Sequence, residues 1–376
     1  MRGFTTGLDG RNIRPLSEHE AEEIADGLFV IYGRARENML SAVSNRLSRG
    51  LGKSGWAARK TNEVLAAHQE FSKQLSRASR AREKIVSAAV ARAAATGNLQ
   101  FLADMRGVLG NAAAISPNSA KVAYILADLN NSLNAAERRI LRQFDDRYSH
   151  IIASASSEMA TGTITERQAV SKALKDFADE GIDGFTDRAG RRWSIDSYAE
   201  MAVRTAIERA TIAGYVDTME SYGYDLAVID GHAGSCPICA AWEGVIISVS
   251  GENGDYPSLD EAEADGCFHP NCLHGIHTYY DGITHAPAGG FRSSPREVED
   301  ESPEYTARSL QRHMERQVRK YKDRMRVAVT PQDERQAYNL ARRWQARLRQ
   351  HVEDNDDLVR NTSREGGKVK LKFPKK

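Results

Sequence analysis

The chain has 376 residues, of which 41% are hydrophobic, 27% are charged and 7% are aromatic, and its formal net charge is +1. A net charge so close to zero provides no global attraction to nucleic acid or to a membrane surface. The sequence has no apolar run of about eighteen residues, so we expect no membrane-spanning helix. Residues 1–16 lack an apolar core, so no secretory signal is expected.

The N-terminal part of the chain begins with a polar segment and then becomes helical in pattern. Residues 1–16 predict a flexible arm. Ser17 and Glu20 have the spacing of a capping box, which marks the start of a helix. Apolar residues then recur at helical intervals as far as about Arg49.

Two further helices are predicted before residue 160. Thr61 to Thr96 consists mainly of good helix formers, and Gly97 with Asn98 is expected to end that helix. From Ser119, apolar residues recur at helical steps for about thirty residues, which is longer than an average globular helix. Such a helix needs a packing partner along its length, so residues 17–160 are predicted to form a helical region.

The middle of the chain combines helices with short β elements. Thr165 and Gln168 again have capping-box spacing. Residues 185–193 carry an aromatic residue at each end of a turn-like sequence, which indicates a β-turn or hairpin. A helix is predicted from Ser194 to about Tyr222, and a short strand follows at Asp225–Asp230.

The C-terminal part contains a linker, two helices and a tail. Residues 286–303 are rich in glycine, proline and serine, which is typical of a linker. Glu304–Val329 has a helical pattern, and Thr330 followed by Pro331 starts another helix that continues to about Val352. The polar residues that follow predict a frayed tail.

Arginine is concentrated between Tyr305 and Gln350. One interpretation is a solvated charged face, and the other is contact with the phosphates of DNA. Acidic residues such as Glu315 and Asp323 dilute the positive charge, which favours the solvated face. The apolar residues expected to pack the first of these helices are Leu310, Met314, Val318, Tyr321 and Met325.

All four cysteines lie between Ser235 and His277. They include two pairs of the same short spacing, Cys236-Pro-Ile-Cys239 and His269-Pro-Asn-Cys272. Zinc prefers four Cys and His ligands in tetrahedral geometry, and each pair can present two donors to one ion. The spacing therefore predicts a structural zinc ion held by Cys236, Cys239, His269 and Cys272.

Other residues compete for two of these four positions. Cys267, His274 and His277 lie close to the second pair in sequence, and Cys267 with Cys272 would complete an all-cysteine site. His269 with Cys272 is preferred because its spacing repeats that of the first pair.

Other uses of the cysteines are less well supported. Without an export signal, a metal site or buried reduced thiols are favoured over disulfides, and no βαβ context supports a redox Cys-x-x-Cys motif. A catalytic zinc needs an open position and a nearby base. Neither His-Glu-x-x-His nor the deaminase signature occurs, and Glu243 is more typical of a solvated or hydrogen-bonded carboxylate.

Two stretches of the chain resemble a known family. The first includes Gly190-Arg-Arg-Trp193 and Tyr198-Ala-Glu-Met-Ala-Val-Arg204. The second includes Ser235-Cys-Pro-Ile-Cys239-Ala-Ala-Trp242-Glu-Gly244, Tyr256-Pro257 and Phe268-His-Pro-Asn-Cys-Leu-His274. These residues resemble the phage minor capsid protein 2 family, which is similar to the Mu F and SPP1 head-morphogenesis proteins. The resemblance is specific over roughly residues 160–285. Leu273 stands where the family often has arginine, which affects the charge there and not the metal pairs.

The resemblance implies a virion protein of a tailed phage, made in the cytoplasm of the bacterial host. It implies association with the portal or the head interior and a role in head assembly or in DNA packaging and delivery. Portal, major capsid or scaffold proteins would be its partners, and residues 305–350 are candidates for contact with phage DNA. Some relatives carry toxin-like enzyme domains at the C-terminus, whereas here only helices and a tail are expected, so no enzymatic activity is predicted. The alternatives are a zinc-dependent enzyme that acts on nucleic acid or peptide and a zinc-containing DNA-binding protein.

We therefore expect a mainly α, elongated protein with long helices and a small α+β module stabilised by zinc. Trp193 and Trp242 are expected to pack beside the ion. The predicted divisions are an arm at 1–16, a helical region at 17–160, a minor-capsid core at 161–285 with its zinc module at 225–280, a linker at 286–303, an arginine-rich helical region at 304–353 and a tail at 354–376.

Overall fold

A computed structural model of the protein is mainly helical, which confirms the mainly α prediction. The structure describes residues 5–6, 12–13, 16–51, 53–160, 164–180, 184–186, 190–285, 290–298 and 300–373. In the first half of the chain the helices are α1 (Glu18–Ser48), α2 (Trp56–Asn62), α3 (Val64–Asp104), α4 (Arg106–Leu109) and α5 (Ser119–Ala160). Among all the residues that the structure describes, no helix is both long and apolar enough to cross a bilayer.

The helices of the second half are shorter and are separated by β elements. They are α6 (Glu166–Glu180), α7 (Ile195–Ser221), α8 (Pro237–Trp242), α9 (Leu259–Ala264), α10 (Pro303–Val327) and α11 (Pro331–Glu353). The two predicted capping boxes are confirmed. The Glu20 amide donates to Ser17 Oγ (3.3 Å), and the Gln168 amide donates to Thr165 Oγ1 (3.3 Å).

The strands are short and all pair antiparallel. They are β1 (Thr5–Thr6), β2 (Asn12–Ile13), β3 (Phe185–Thr186), β4 (Arg192–Trp193), β5 (Leu226–Ile229), β6 (Ile246–Ser248) and β7 (Ile276–Thr278). β3 and β4 form the predicted hairpin, with Phe185 opposite Trp193. β5 is the predicted strand before the cysteines, and it is the centre of a sheet with the order β6-β5-β7.

The chain divides into two compact units, each built from three segments. The first unit comprises Met1–Ala25, Glu83–Asn131 and Met201–Arg308, and the second comprises Asp26–Arg82, Ser132–Glu200 and Ser309–Lys376. The division into consecutive regions derived from the sequence stays a prediction.

The core of the first unit joins helical and sheet residues with the cysteines. Helices α3 and α7 contribute Phe101, Ile212, Tyr215 and Met219, the turn after α3 contributes Met105, and the sheet contributes Ala227, Ile229 and Ile247. The short helix α8 contributes Cys239 and Trp242, and the loop after α9 contributes Cys267 and Cys272. All are buried, so the cysteine-bearing segments belong to the hydrophobic core rather than to an exposed appendage.

The prediction that Gly97 ends a helix is wrong, because α3 continues to Asp104. A Cβ atom at Gly97 would stand 2.7 Å from the backbone nitrogen of Tyr215 and closer still to the carbonyl oxygen of Thr211. Gly97 therefore serves close packing of α3 against α7 inside the first unit and does not terminate the helix.

The core of the second unit includes buried polar groups. Arg82 is fully buried and donates to Glu137 Oε1 (3.0 Å), which also accepts from the hydroxyl of Tyr32 (2.5 Å). Burial raises the pKa of Tyr32, so its hydroxyl stays protonated and acts as a donor.

The expected apolar face of α10 is only partly correct. Val318 and Met325 are buried, but Leu310 is exposed. A row of polar and charged residues is buried beside them, namely Gln311, Glu315, Arg319, Asp323 and Arg326. The cause is pairing with charges from other helices of the second unit, which include Asp323 with Arg36 and Arg326 with Glu37 (2.9 Å).

The C-terminal residues are docked as far as residue 373, so the prediction of a frayed tail is wrong there. Arg364 and Glu365 are buried, and Arg364 pairs with Glu200. The amino group of Lys372 donates to Ser44 Oγ (3.2 Å) and to the carbonyl oxygen of Ala328 (3.2 Å). These contacts tie the tail to the second unit.

Part of the predicted linker is also anchored. The Arg292 amide donates to the Gly244 carbonyl (2.9 Å), and the Arg296 amide donates to the Ala241 carbonyl (3.0 Å). Residues 286–289 and 299 of the linker, and most of the predicted N-terminal arm, lie outside the described residues.

Candidate metal centre

The first predicted ligand pair lies at the start of α8. Cys236 is the N-cap residue of this helix, and Pro237 occupies its first turn, where a missing amide hydrogen costs nothing. Cys236 Sγ accepts a hydrogen bond from the Cys239 amide (3.4 Å). This turn presents both sulfur atoms on one side, with Cys236 half-buried and Cys239 buried.

The second pair lies in the loop between α9 and β7. The Cys272 amide donates to the His269 carbonyl (2.8 Å), which closes a tight turn. Phe268 and Asn271 have φ angles of 55° and 69°, a left-handed conformation that asparagine tolerates better than phenylalanine. The turn thus holds His269 and Cys272 in a constrained backbone.

The fold brings the two predicted pairs together. Cys236 Sγ lies 3.0 Å from His269 Nε2, and Cys239 Sγ lies 3.6 Å from Cys272 Sγ. His269 Nδ1 lies 2.9 Å from the carbonyl oxygen of Pro270, which orients Nε2 toward the sulfur atoms. Each predicted ligand therefore has another as its neighbour.

A fifth donor joins this cluster. His274 is buried, and its Nδ1 lies 3.2 Å from Cys272 Sγ. The donor atoms form two groups, Cys236 with Cys239 and His269, and Cys239 with Cys272 and His274. Within each group the donor atoms lie within 4.8 Å of one another. Cys239 belongs to both groups. The segment from His269 to His274 supplies three donors, namely His269, Cys272 and His274, whereas the spacing predicted only the first two.

Glu243 orients His274 from the side opposite the cysteines. Its Oε1 lies 3.1 Å from His274 Nε2 and also accepts from the His232 amide (3.3 Å) and the Ser235 hydroxyl. Burial raises the pKa of Glu243, but the hydrogen bonds from Ser235 and His274 outweigh it and hold the pKa below its usual value. A carboxylate behind a histidine is the usual outer-shell arrangement of a metal-binding imidazole.

Of the two remaining candidates, one touches the cluster and the other does not. The thiols of Cys267 and Cys239 are hydrogen-bonded, and both residues are buried. His277 pairs with Asp230 instead, and this hydrogen bond raises the pKa of His277. His277 is therefore assigned to a separate pair.

The thiols fit the chemistry of a cation site. The hydrogen bond with Cys267 and burial raise the pKa of Cys239, and the hydrogen bond with Cys239 and burial raise the pKa of Cys272. Without a cation these buried thiols stay protonated at neutral pH. A bound divalent cation would reverse this preference, because metal ligation requires the thiolate form.

The two tryptophans differ in their surroundings. Trp242 is buried in the same core cluster as Cys239, Cys267 and Cys272. Trp193 belongs to the β3–β4 hairpin of the second unit and packs edge-on against Tyr198, with 5.8 Å between ring centroids. We therefore assign Trp193 to the hairpin rather than to the metal cluster.

A cavity of about 980 Å³ lies beside the cluster within the first unit. Its lining includes Asp104, Glu208, Asp230 and His277. Burial, reinforced by Glu18 and Asp230, raises the pKa of Glu208 to about 7. Sequence patterns gave no indication of this site, because its acidic residues come from distant segments of the chain.

The family model of phage minor capsid protein 2 matches residues 16–353. The chain belongs to the phage minor capsid protein 2 family. The resemblance drawn from the cysteine segment is thereby confirmed, and the match extends into the helical regions on both sides of it.

Two curated relatives agree with this family. A structural protein of Lactococcus phage LL-H is 27% identical over 251 residues, which cover 62% of this chain and 64% of that protein. A structural protein of Lactococcus phage mv4 is 29% identical over 119 residues, which cover 30% of this chain and 93% of that protein. The alignment thus spans less than two thirds of the phage LL-H protein. No solved structure matches the chain.

Proposed function

We propose that this member of the minor capsid family is a non-enzymatic structural component of a tailed-phage head. The match of the family model to residues 16–353 carries this proposal, and the names of both relatives agree with it. The protein would be made in the host cytoplasm and incorporated into the virion at the portal or the head interior. Its partners would be the portal, major capsid or scaffold protein, and its role would lie in head assembly or in DNA packaging and delivery.

We further propose that Cys236, Cys239, His269 and Cys272 hold one structural zinc ion. The contacts of Cys236 with His269 and of Cys239 with Cys272 support this ligand set. The strands beside it have only three or four residues each. Crosslinking the loops through a metal ion would stabilise so small a sheet.

The donor set favours a structural ion over a catalytic one. A catalytic zinc keeps one coordination position open for water. Here His274 and Cys267 adjoin the four proposed ligands, so protein donors suffice to close the site. Glu243, a candidate general base beside the cysteines, is already engaged by Ser235, His232 and His274.

Phage DNA is a proposed partner of residues 305–350. The arginine content of these residues supports this contact. The environments of the individual arginines decide which of them can reach DNA.

The structural role is tested by quantitative mass spectrometry of purified virions and of heads separated from tails. We expect the protein in the head fraction, in fewer copies than the major capsid protein. A phage with a stop codon in this gene should produce fewer filled heads, and the wild-type gene supplied in trans should restore them. Absence of the protein from purified virions, together with normal particles from the mutant phage, would overturn the proposal.

A further inference from the structure

The arginines of residues 305–350 fall into two sets with different environments. Most of the α10 arginines within the second unit are engaged inside it. Arg324 pairs with Asp179, Arg326 pairs with Glu37 (2.9 Å), and Arg319 is buried. These α10 arginines stabilise the second unit through internal contacts, so their guanidinium groups are not available to a partner.

The arginines of α11 face solvent. They are Arg335, Arg342, Arg343, Arg347 and Arg349. In the part of the chain that the structure describes, none of these five forms an ion pair. Residues 335–350 contain no acidic residue. The next acidic residue of α11 is its last residue, Glu353, one turn beyond Arg349.

The acidic residues that precede this stretch are used elsewhere. Asp333 pairs with Lys175 and accepts from the Ser171 hydroxyl (2.6 Å). Glu334 is buried and accepts from the backbone amide of Phe373 (2.9 Å). The start of α11 therefore does not neutralise the arginines that follow.

The arginines form an ordered row along the helix. Arg335, Arg342 and Arg349 repeat every seven residues, so they lie on one side at steps of about 10 Å along the axis. Arg343 and Arg347, one turn apart, lie together on one side of this row. The opposite side of α11 is buried through Ala337, Ala341 and Leu348.

We propose that the exposed face of α11 binds the phosphate backbone of duplex DNA without reading its sequence. The planar guanidinium group donates bidentate hydrogen bonds to phosphate, and a row of arginines with no acidic residue between its members suits a partner with regularly spaced negative charges. This inference rests on the proposed function, which places the protein where phage DNA is the abundant polyanion. It confines DNA contact to α11 and excludes the paired arginines of α10.

Full-length protein and fluorescent DNA duplexes of two unrelated sequences test the proposal. For the wild type we expect equal affinity for both duplexes and a slope of log affinity against log salt of about −4 to −5, from five phosphate contacts. In the variant R335Q/R342Q/R349Q the slope should become shallower by about 3. Affinity should fall at least tenfold at about 0.1 M salt.

The matched control is K73Q/R77Q/R80Q, which removes the same charge from three exposed residues of α3 in the same unit. The control should keep the wild-type affinity and slope, and circular dichroism should show that both variants are folded. An equal loss of DNA affinity in both variants would show that only the net charge of the protein matters, and it would overturn the proposal. So would the absence of binding by the wild type, or equal binding of polyglutamate, which would assign the face to an acidic protein.

Virion incorporation of R335Q/R342Q/R349Q separates this proposal from the structural role. Normal incorporation of the variant while the wild type fails to bind DNA would reject the α11 surface and leave the head protein assignment intact. Absence of the wild-type protein from virions would reject the structural role itself, whatever its affinity for DNA.

Discussion

Gly97 on α3 and Gly214 on α7 lie where the backbones of the two helices meet. A Cβ atom at Gly214 would stand 2.8 Å from Asn98 Oδ1 and closer still to the carbonyl oxygen of Ala94. At Gly97 the obstruction is likewise backbone, from Thr211 and Tyr215. At both positions the nearest obstructing atom is a backbone carbonyl oxygen, so a methyl group can be accommodated only if the helices move apart.

Alanine at either position should therefore destabilise the protein. We expect Gly97→Ala and Gly214→Ala each to lower the free energy of unfolding by about 2 kcal/mol or more, because overpacking outweighs the gain in helix propensity of ~1 kcal/mol. Denaturant melts measure the change. The control is Gly27→Ala in α1, where the added Cβ meets nothing within 4 Å, so it should leave stability unchanged or raise it. Equal effects at all three positions would contradict the close approach.

The metal site predicts a loss of zinc when a sulfur ligand is removed. Wild-type protein purified with zinc should hold about one ion per chain, and Cys236→Ser should hold much less and melt at a lower temperature. A chelator should lower the melting temperature of the wild type but not that of the variant. Metal analysis and thermal melts provide the readouts. A wild-type chain that folds normally without bound metal would refute the site.

The histidine ligand can be identified by paired substitutions. His269→Ala should release zinc if the predicted set is correct, whereas His274→Ala should weaken binding only moderately, about as an outer-shell change does, 10–100-fold. If His274→Ala instead causes the larger loss of zinc, the histidine ligand is His274 and not His269. Glu243→Gln should then also weaken binding, because Glu243 orients that imidazole.

The buried pair of Arg36 with Asp323 should be sensitive to loss of either partner. The side chains of both residues are almost entirely buried, and Arg36 also pairs with Asp196 (3.2 Å). Asp323→Asn should lower the free energy of unfolding by about 3–5 kcal/mol, because it leaves buried charge uncompensated.

The exposed pair of His19 and Glu23 provides the control for this ion network. Their side chains are 85% and 65% accessible, so Glu23→Gln should leave the melting temperature unchanged. If Asp323→Asn also leaves the melting temperature unchanged, the buried ion pairs of α10 do not contribute to stability.

Glu208 predicts a specific dependence of stability on pH. Burial raises its pKa from 4.5 to about 7 in the folded protein, so between these values the folded state binds more protons than the unfolded state. Its contribution to stability is complete below about pH 4.5 and is lost as pH rises through about 7. Glu208→Gln should therefore raise the free energy of unfolding by about 1–3 kcal/mol at pH 8 and change it little at pH 5. A difference from wild type that is constant across this range would contradict the shifted pKa.

Local sequence patterns were sufficient to predict features that depend only on residues close together in the chain. The capping boxes at Ser17 and Thr165 form as expected because each involves a side chain and an amide one turn away. The short spacing of Cys236 and Cys239 likewise predicted a turn that presents two sulfur atoms together, since its geometry is fixed within four residues.

The cysteine segment shows where sequence spacing stops being informative. Spacing predicted two pairs, and the fold places Cys239 beside Cys272. It did not reveal that Glu243 would orient His274 toward the same cluster or that His277 would pair with Asp230. Those assignments depend on how β5, β6 and β7 bring separate loops together.

By itself the sequence determined the mainly helical class, most helix starts and the family, because these depend on local propensity and on characteristic motifs. Tertiary structure decided that Gly97 lies within a helix and that Asp323 is buried while the arginines of α11 are exposed. The physical reason is that packing can override the helix-breaking tendency of glycine, and that a charged residue forms a helix equally well whether its side chain is buried or exposed. The roles of these residues depend on the close approach of another backbone or on the presence of an opposite charge from a distant segment.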